Sequence, residues 1–131
     1  MTRPPPSPDT VAAVGELACR FGWRLVVLFG SLARGGSGRD VDLAVLPSAA
    51  IGLLEQGGWQ AKLEDLWAPR PVDLVLLHDG LSPLARFQIF RDGRCLYEAQ
   101  PGLFSAEQDR AFFLYADSEK FRWAEREMLR G

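Results

Sequence analysis

Residues 25–46 read LVVLFGSLARGGSGRDVDLAVL. An apolar run ends in Gly30-Ser31, a short polar loop follows, and a second apolar run opens with Asp40-Val41-Asp42. Along an extended strand, residues i and i+2 point to one face. Asp40 and Asp42 are therefore expected to project together, with Val41 and Leu43 alternating against them. Two neighbouring carboxylates repel, and burying them unpaired costs several kcal/mol or keeps one protonated. A divalent cation holds both ionised at least cost. Hard oxygen ligands suit Mg²⁺, which commonly binds one or two carboxylates plus substrate phosphates. Gly30 lets backbone approach a ligand closely, Ser31 offers a hydroxyl, and residues 32–34 can open a helix whose N-terminus attracts anions.

Outward from this stretch, the chain has the length of one domain with a real core: 131 residues, 47% apolar and 24% charged. A net charge of −2 argues against an electrostatic nucleic-acid binder. Cys19 and Cys95 lie far apart without metal-ligand spacing and are expected to be buried, reduced thiols. His78 is the single histidine, so a histidine-based zinc site or catalytic triad has no partners to draw on. No run is apolar for the ~18 residues of a membrane span, and the first residues, MTRPPPSPD, lack the apolar core of a signal peptide. A cytoplasmic protein that neither crosses membranes nor stably binds nucleic acid is expected.

Residues 1–7 are expected to form a proline-rich tail and residues 8–131 one domain with a C-terminal helix. Ser7 can cap a helix with Pro8 in its first turn, closed near Gly22. Residues 25–29 read as a central strand without a polar face. Residues 40–46 form a second strand and 72–77 a third. Between them 51–67 is helical, with Gly57-Gly58 as a break; Trp59, Leu63, Leu66 and Trp67 recur at helical spacing. Residues 83–90 form a short helix, Asp92-Gly93 a turn, and 94–98 a fourth strand. Ser105 to Gln108 fits a capping box opening a last helix to about residue 129.

Connection lengths then place the carboxylates. The loop after Gly30 is too short for a parallel crossover, so the first two strands should run antiparallel. The helical link from the second strand to the third allows a parallel pair. Gly30-Ser31, Asp40, Asp42 and Asp73 would then meet at one end of a mixed α/β (α+β) sheet. Asp is depleted in strands, so three at strand starts beside a Gly-Ser turn are unlikely to be independent surface residues.

GSLARGGSGRDVDLAV resembles the signature of the polymerase-β-like nucleotidyltransferases, and PVDLVLL, with Asp73, is similar to the strand carrying their third carboxylate. The order and compactness of the elements resemble the minimal nucleotidyltransferases that pair with an all-helical HEPN protein. Tyr115-Ala116-Asp117 is similar to a Tyr-x-Asp often found in their last helix. The resemblance implies Mg²⁺, with two ions, held by Asp40 and Asp42. It implies Asp73 as third metal ligand or as base, and Gly30 and Ser31 holding the triphosphate of ATP. It implies transfer of AMP to a tyrosine of a toxin partner. The chain departs from the usual pattern in a shorter loop before Asp40 and in Arg39, where serine is common.

Several readings stay open in the sequence. Arg34 approaches phosphate or is a solvated residue covering the helix. Arg39 balances the acidic cluster or faces solvent. His78 is a surface or capping residue in preference to a catalytic one. Trp23, Trp59 and Trp67 read as core or boundary residues. In the last helix Phe112, Phe113, Tyr115, Phe121 and Trp123 occupy more than one face, which fits a partner surface or a helix buried across the sheet. The rival functions are a non-catalytic module that occludes its partner and an aminoglycoside-type transferase acting on a small molecule. Self-association is also compatible with the sequence.

Overall fold

The computed structural model describes residues 6–35 and 40–130, without the side chains of residues 121, 129 and 130. Residues 1–5 of the expected tail, and Arg39, lie outside the described residues. Helix α1 (Pro8–Phe21) starts where expected: the Ser7 side chain accepts from the Thr10 N–H, and Gly22 closes the helix at φ 73°. Strand β1 (Trp23–Phe29) leads into a single helical turn, α2 (Gly30–Ala33). Strand β2 (Val41–Pro47), helix α3 (Leu53–Trp67), strand β3 (Val72–Leu76), helix α4 (Pro83–Arg91), strand β4 (Arg94–Glu98) and helix α5 (Leu103–Arg130) complete the order.

The four strands form a mixed sheet in the order β3-β2-β1-β4. β1 pairs antiparallel with β2 and β4, and β2 pairs parallel with β3. Alternation along the strands divides the core into two layers. Val26 and Leu28 of β1, with Val41, Leu43 and Val45 of β2, face α1 and α3 and pack on Val14, Ala18, Trp59 and Leu63. Leu25, Val27 and Ala44 face α4 and α5 and pack on Ile89, Phe90 and Ala111. β1 is buried on both faces because helices cover both sides, hence its run without polar residues.

Five expectations change in detail. β2 begins at Val41, whose N–H opens the ladder by donating to the Pro71 carbonyl, so Asp40 stands just outside the strand. Gly57 and Gly58 do not break α3: Trp59 and Leu63 anchor its inner face, and the glycines lie on the outside, where nothing crowds them. α2 begins at Gly30 and lasts one turn, with Arg34 as its C-cap, so it is no extended helix dipole. α5 begins two residues before Ser105, because the Glu98 carboxylate accepts the Phe104 N–H at 2.9 Å and takes the place of the capping box. Gln108 instead donates to the Phe90 carbonyl at 2.8 Å. Cys19 and Cys95 are free but exposed, Cys19 on α1 with its Sγ 3.8 Å from the Tyr97 hydroxyl and Cys95 on edge strand β4. Trp23 and Trp59 are core residues as expected, in T-shaped contact at 5.3 Å.

A polar brace joins α4 to α5. Arg86 is buried, donates to the His78 carbonyl at 2.6 Å and lies 3.9 Å from Glu107, which Arg110 approaches at 3.8 Å. His78 itself caps the turn after β3, its Nδ1 accepting the Gly80 N–H at 3.0 Å. It sits beyond the last residue of β3, whereas Asp73 lies near the first.

The glycines give a paired test. A Cβ at Gly93 would collide with the Ile89 carbonyl oxygen and lie 2.7 Å from Val27 Cγ1, whereas one at Gly57 meets nothing within 4 Å. Gly93→Ala should destabilise the domain by about 1–3 kcal/mol. Gly57→Ala should stabilise it by about 0.5–1 kcal/mol, as in an exposed helix interior. Urea denaturation of the two variants checks both signs.

Candidate active site

The strand pairing brings Asp42 and Asp73 together, and Asp40 joins them from the connection just before β2. Asp42 is the partner of Phe29, the last residue of β1, and is in register with Asp73 of β3. Because Asp42 alternates with Val41 and Leu43, it projects on the sheet face covered elsewhere by α4 and α5. Asp73 is its neighbour on the same face, within hydrogen-bonding reach, and Asp40 adds its charge from just before the strand. Asp40 and Asp73 are exposed and Asp42 is half-buried.

Burial raises the Asp42 carboxyl above the usual carboxylate value. The charge of Asp73, that of Asp40 and the hydrogen bond with Asp73 raise it further, and Arg34 opposes them. Arg34 is solvent-exposed yet close enough for its charge to act on Asp42, so it stands beside the cluster. Among the described residues, no three His, Cys, Asp or Glu side chains enclose an ion by themselves. The donor set is a facing pair of carboxylates with a third nearby, which fits a hard divalent cation completed by phosphate oxygens or water.

Gly30 has a role that the sequence leaves hidden. It adopts φ 76°, and a Cβ there would collide with Asp42 Oδ2 and lie 3.1 Å from Asp42 Cγ. The space freed by glycine is taken by the aspartate, so the Gly-Ser turn and the Asp-x-Asp strand are one packed unit. Ser31 follows in the first turn of α2, half-buried beside that contact.

Sequence reasoning also overlooked Gln60 of α3, whose Nε2 donates to the Val72 carbonyl at 2.9 Å, one residue before Asp73. A polar residue beside Trp59 on a helix was its only signal. A cavity of about 1030 Å³ lies away from the aspartates. It opens behind α2 on the α1–α3 face, lined by Val11, Leu32, Trp67, Arg70, Arg94 and Leu96 among others. The carboxylate cluster is an open surface site, and the chemistry of its side chains marks it better than its concavity does.

Residues 20–102 match the family model described as Polymerase beta, Nucleotidyltransferase. The match spans more than half of the chain and contains Gly30, Ser31, Asp40, Asp42 and Asp73. The chain belongs to this nucleotidyltransferase family. No curated protein matches it in sequence. Among solved structures, a toxin–antitoxin complex with AMP-PNP contains a chain of 22% identity and TM-score 0.72, over 92% of this chain and 98% of that one. The complex of a tri-AMPylated HEPN toxin with the MNT antitoxin from Shewanella oneidensis gives 21% identity and TM-score 0.69, over 94% and 98%. The MntA–HepT toxin–antitoxin structure gives 20% and 0.70, over 95% and 100%. The likeness extends over both chains in full, so the whole fold is shared. No helix among the described residues is long and apolar enough to cross a membrane.

The raised carboxyl of Asp42 fixes the sign of a pH effect. A group whose pKa is higher folded than unfolded is neutral in both states well below its ordinary value of 3.8 and imposes no charge penalty there. As pH rises through 3.8 and then through the raised native value, the unfolded state ionises first and stability falls. Asp42→Asn should remove this component and leave the metal-free protein more stable at neutral pH. Thermal melting from pH 3 to 7, with and without the substitution, measures it.

Proposed function

We propose that this chain transfers AMP from ATP to a hydroxyl, namely a tyrosine of a helical HEPN toxin partner, and so acts as the antitoxin of a cytoplasmic pair. The observation that carries the reading is the in-register pair Asp42 and Asp73, with Asp42 packed against Gly30 of the Gly-Ser turn. Family membership supports nucleotidyl transfer. The similar folds found with AMP-PNP and with an AMPylated HEPN toxin support the nucleotide and the acceptor.

In this reading Asp40 and Asp42 hold Mg²⁺, as one ion or two, with Asp73 as the third carboxylate. When bound, the metal supplies charge neutralisation at the leaving oxygens and lowers the pKa of the attacking hydroxyl. The Ser31 hydroxyl and the free N–H groups at the start of α2 hold the triphosphate, and Arg34 meets phosphate charge from the rim. Asp73, on an edge strand and open to solvent, can accept the proton of the attacking hydroxyl. A bond forms between the acceptor oxygen and the α-phosphorus as the bond to pyrophosphate breaks. The rest of the rate enhancement comes from positioning, which requires a docked acceptor.

The docking surface of this reading is α5. Its first half packs on α4, with Tyr115 stacked on Phe87 at 4.2 Å and Phe112 at 5.5 Å from the same ring. It does not bury all its aromatics: Phe113 is 71% exposed, Trp123 62% and Met128 82%. Residues 122–128 are all exposed. A helical extension whose described side chains, residues 122–128, are all exposed is marginal in water, and exposed aromatics are the usual anchors of an interface. Phe121 belongs to the same segment, but its side chain lies outside those described.

Two measurements test the reading with the neighbouring gene product as acceptor. Asp42→Asn should lower transfer of label from α-³²P-ATP by roughly 10³-fold or more, since a metal ligand's charge is worth several kcal/mol to the transition state. Transfer at the wild-type rate counts against the site. Loss of transfer with full neutralisation of the toxin favours occlusion, and transfer to an aminoglycoside instead favours the small-molecule reading. Trp123→Ala should weaken partner binding by about 2 kcal/mol, roughly 30-fold, at an unchanged melting temperature of the isolated chain. A lowered melting temperature with unchanged affinity would make α5 part of the core.

A further inference from the structure

β3 carries Asp73 but is an edge strand, paired only with β2. Edge strands have one row of carbonyl and N–H groups without sheet partners. Carbonyls alternate in direction along a strand. The Pro71 carbonyl accepts from the Val41 N–H at 2.9 Å and so points toward β2. The Val72 carbonyl therefore points the other way, to the free edge, and there Gln60 meets it at 2.9 Å. The bond is half-buried and spans from α3 to the start of β3. α3 is in turn fixed to the sheet by the buried Trp59 and Leu63, on either side of Gln60 in sequence. The backbone immediately before Asp73 is thus held from both sides, by β2 and by Gln60.

We infer that Gln60 is a positioning residue for Asp73: its side-chain amide replaces a missing fifth strand and fixes the carboxylate beside Asp42. This rests on the reading of Asp73 as part of a metal–nucleotide site. The side chain acts through the backbone, donating to the Val72 carbonyl one residue before Asp73. Groups that orient metal ligands from behind typically change affinity or activity 10- to 100-fold when removed. Gln60→Ala leaves the Val72 carbonyl to water, and Gln60→Glu sets an acceptor, charged at neutral pH, against an acceptor.

The chain supplies its own control. Gln108 makes a chemically matched bond, Nε2 to the Phe90 carbonyl at 2.8 Å, between α5 and α4. Both glutamine bonds are half-buried. Gln60→Ala and Gln108→Ala should therefore lower the melting temperature by similar amounts, while only the first disturbs the carboxylates.

The test is calorimetric titration of the full chain with Mg²⁺ and AMP-PNP, at a temperature where every variant is folded. Gln60→Ala should weaken binding about tenfold, Gln60→Glu more, and Gln108→Ala should bind as the wild type does. Wild-type affinity in Gln60→Ala overturns the role of Gln60 and leaves the site reading intact. Equal weakening in Gln108→Ala reduces the effect to general loosening and also overturns it. Failure of the wild-type chain to bind Mg²⁺ with AMP-PNP overturns the site reading beneath it.

Discussion

The in-register pairing of β2 with β3 sets Asp42 directly beside Asp73, and the rest of the site is arranged around the cost of that juxtaposition. Two carboxylates on neighbouring strands repel, and partial burial makes the repulsion worse. The structure tolerates this because the strands are committed elsewhere. Val41, Leu43 and Val45 on β2 are fully buried on the opposite face, so a one-residue slip that separated the aspartates would expose them. Hydrophobic burial on one face thus imposes the electrostatic strain on the other. Under the proposed function, a divalent cation between the two carboxylates would offset that repulsion.

Each face of the sheet has a separate task. On the α1–α3 face, two helices and the Phe21, Trp23 and Trp59 rings form a continuous apolar layer. On the other face, α4 and α5 cover only part of the sheet, and the end of β1 with the starts of β2 and β3 emerges beyond them. Gly30 joins the two arrangements. It ends a strand buried on both sides, turns the chain at a positive φ, and leaves room for Asp42. An alanine there would meet the carboxylate that the site most needs in place.

Much of this was legible in the sequence. Element order, the antiparallel and parallel pairings and the meeting of Asp40, Asp42 and Asp73 all follow from loop lengths and the Asp-x-Asp alternation. What stayed hidden has a common physical character. Glu98 capping α5, Gln108 bonding to α4 and Gln60 bonding to β3 are single side-chain-to-backbone contacts between distant segments. They have no period and no composition, so a pattern reading assigns Ser105 as a cap that the fold does not use. Gly57-Gly58 misleads in the same way, because anchoring by Trp59 and Leu63 outweighs local helix propensity. The cysteines differ again: an apolar residue type predicts burial on average, but Cys19 on α1 and Cys95 on β4 are exposed.

The edge position of β3 has a consequence for the behaviour of the protein in a crowded solution. A strand of five residues with one edge open, four of them Val or Leu, is a template on which another chain can add a strand and begin an aggregate. Asp73 places a charge at the second position of this apolar run, and Gln60 already occupies the Val72 carbonyl that an incoming backbone would seek. The residues that shape the site therefore also guard the sheet's border. A substitution of Asp73 by an apolar residue would remove a gatekeeper from the edge as well as a carboxylate from the acidic cluster, so a loss of solubility is expected with it.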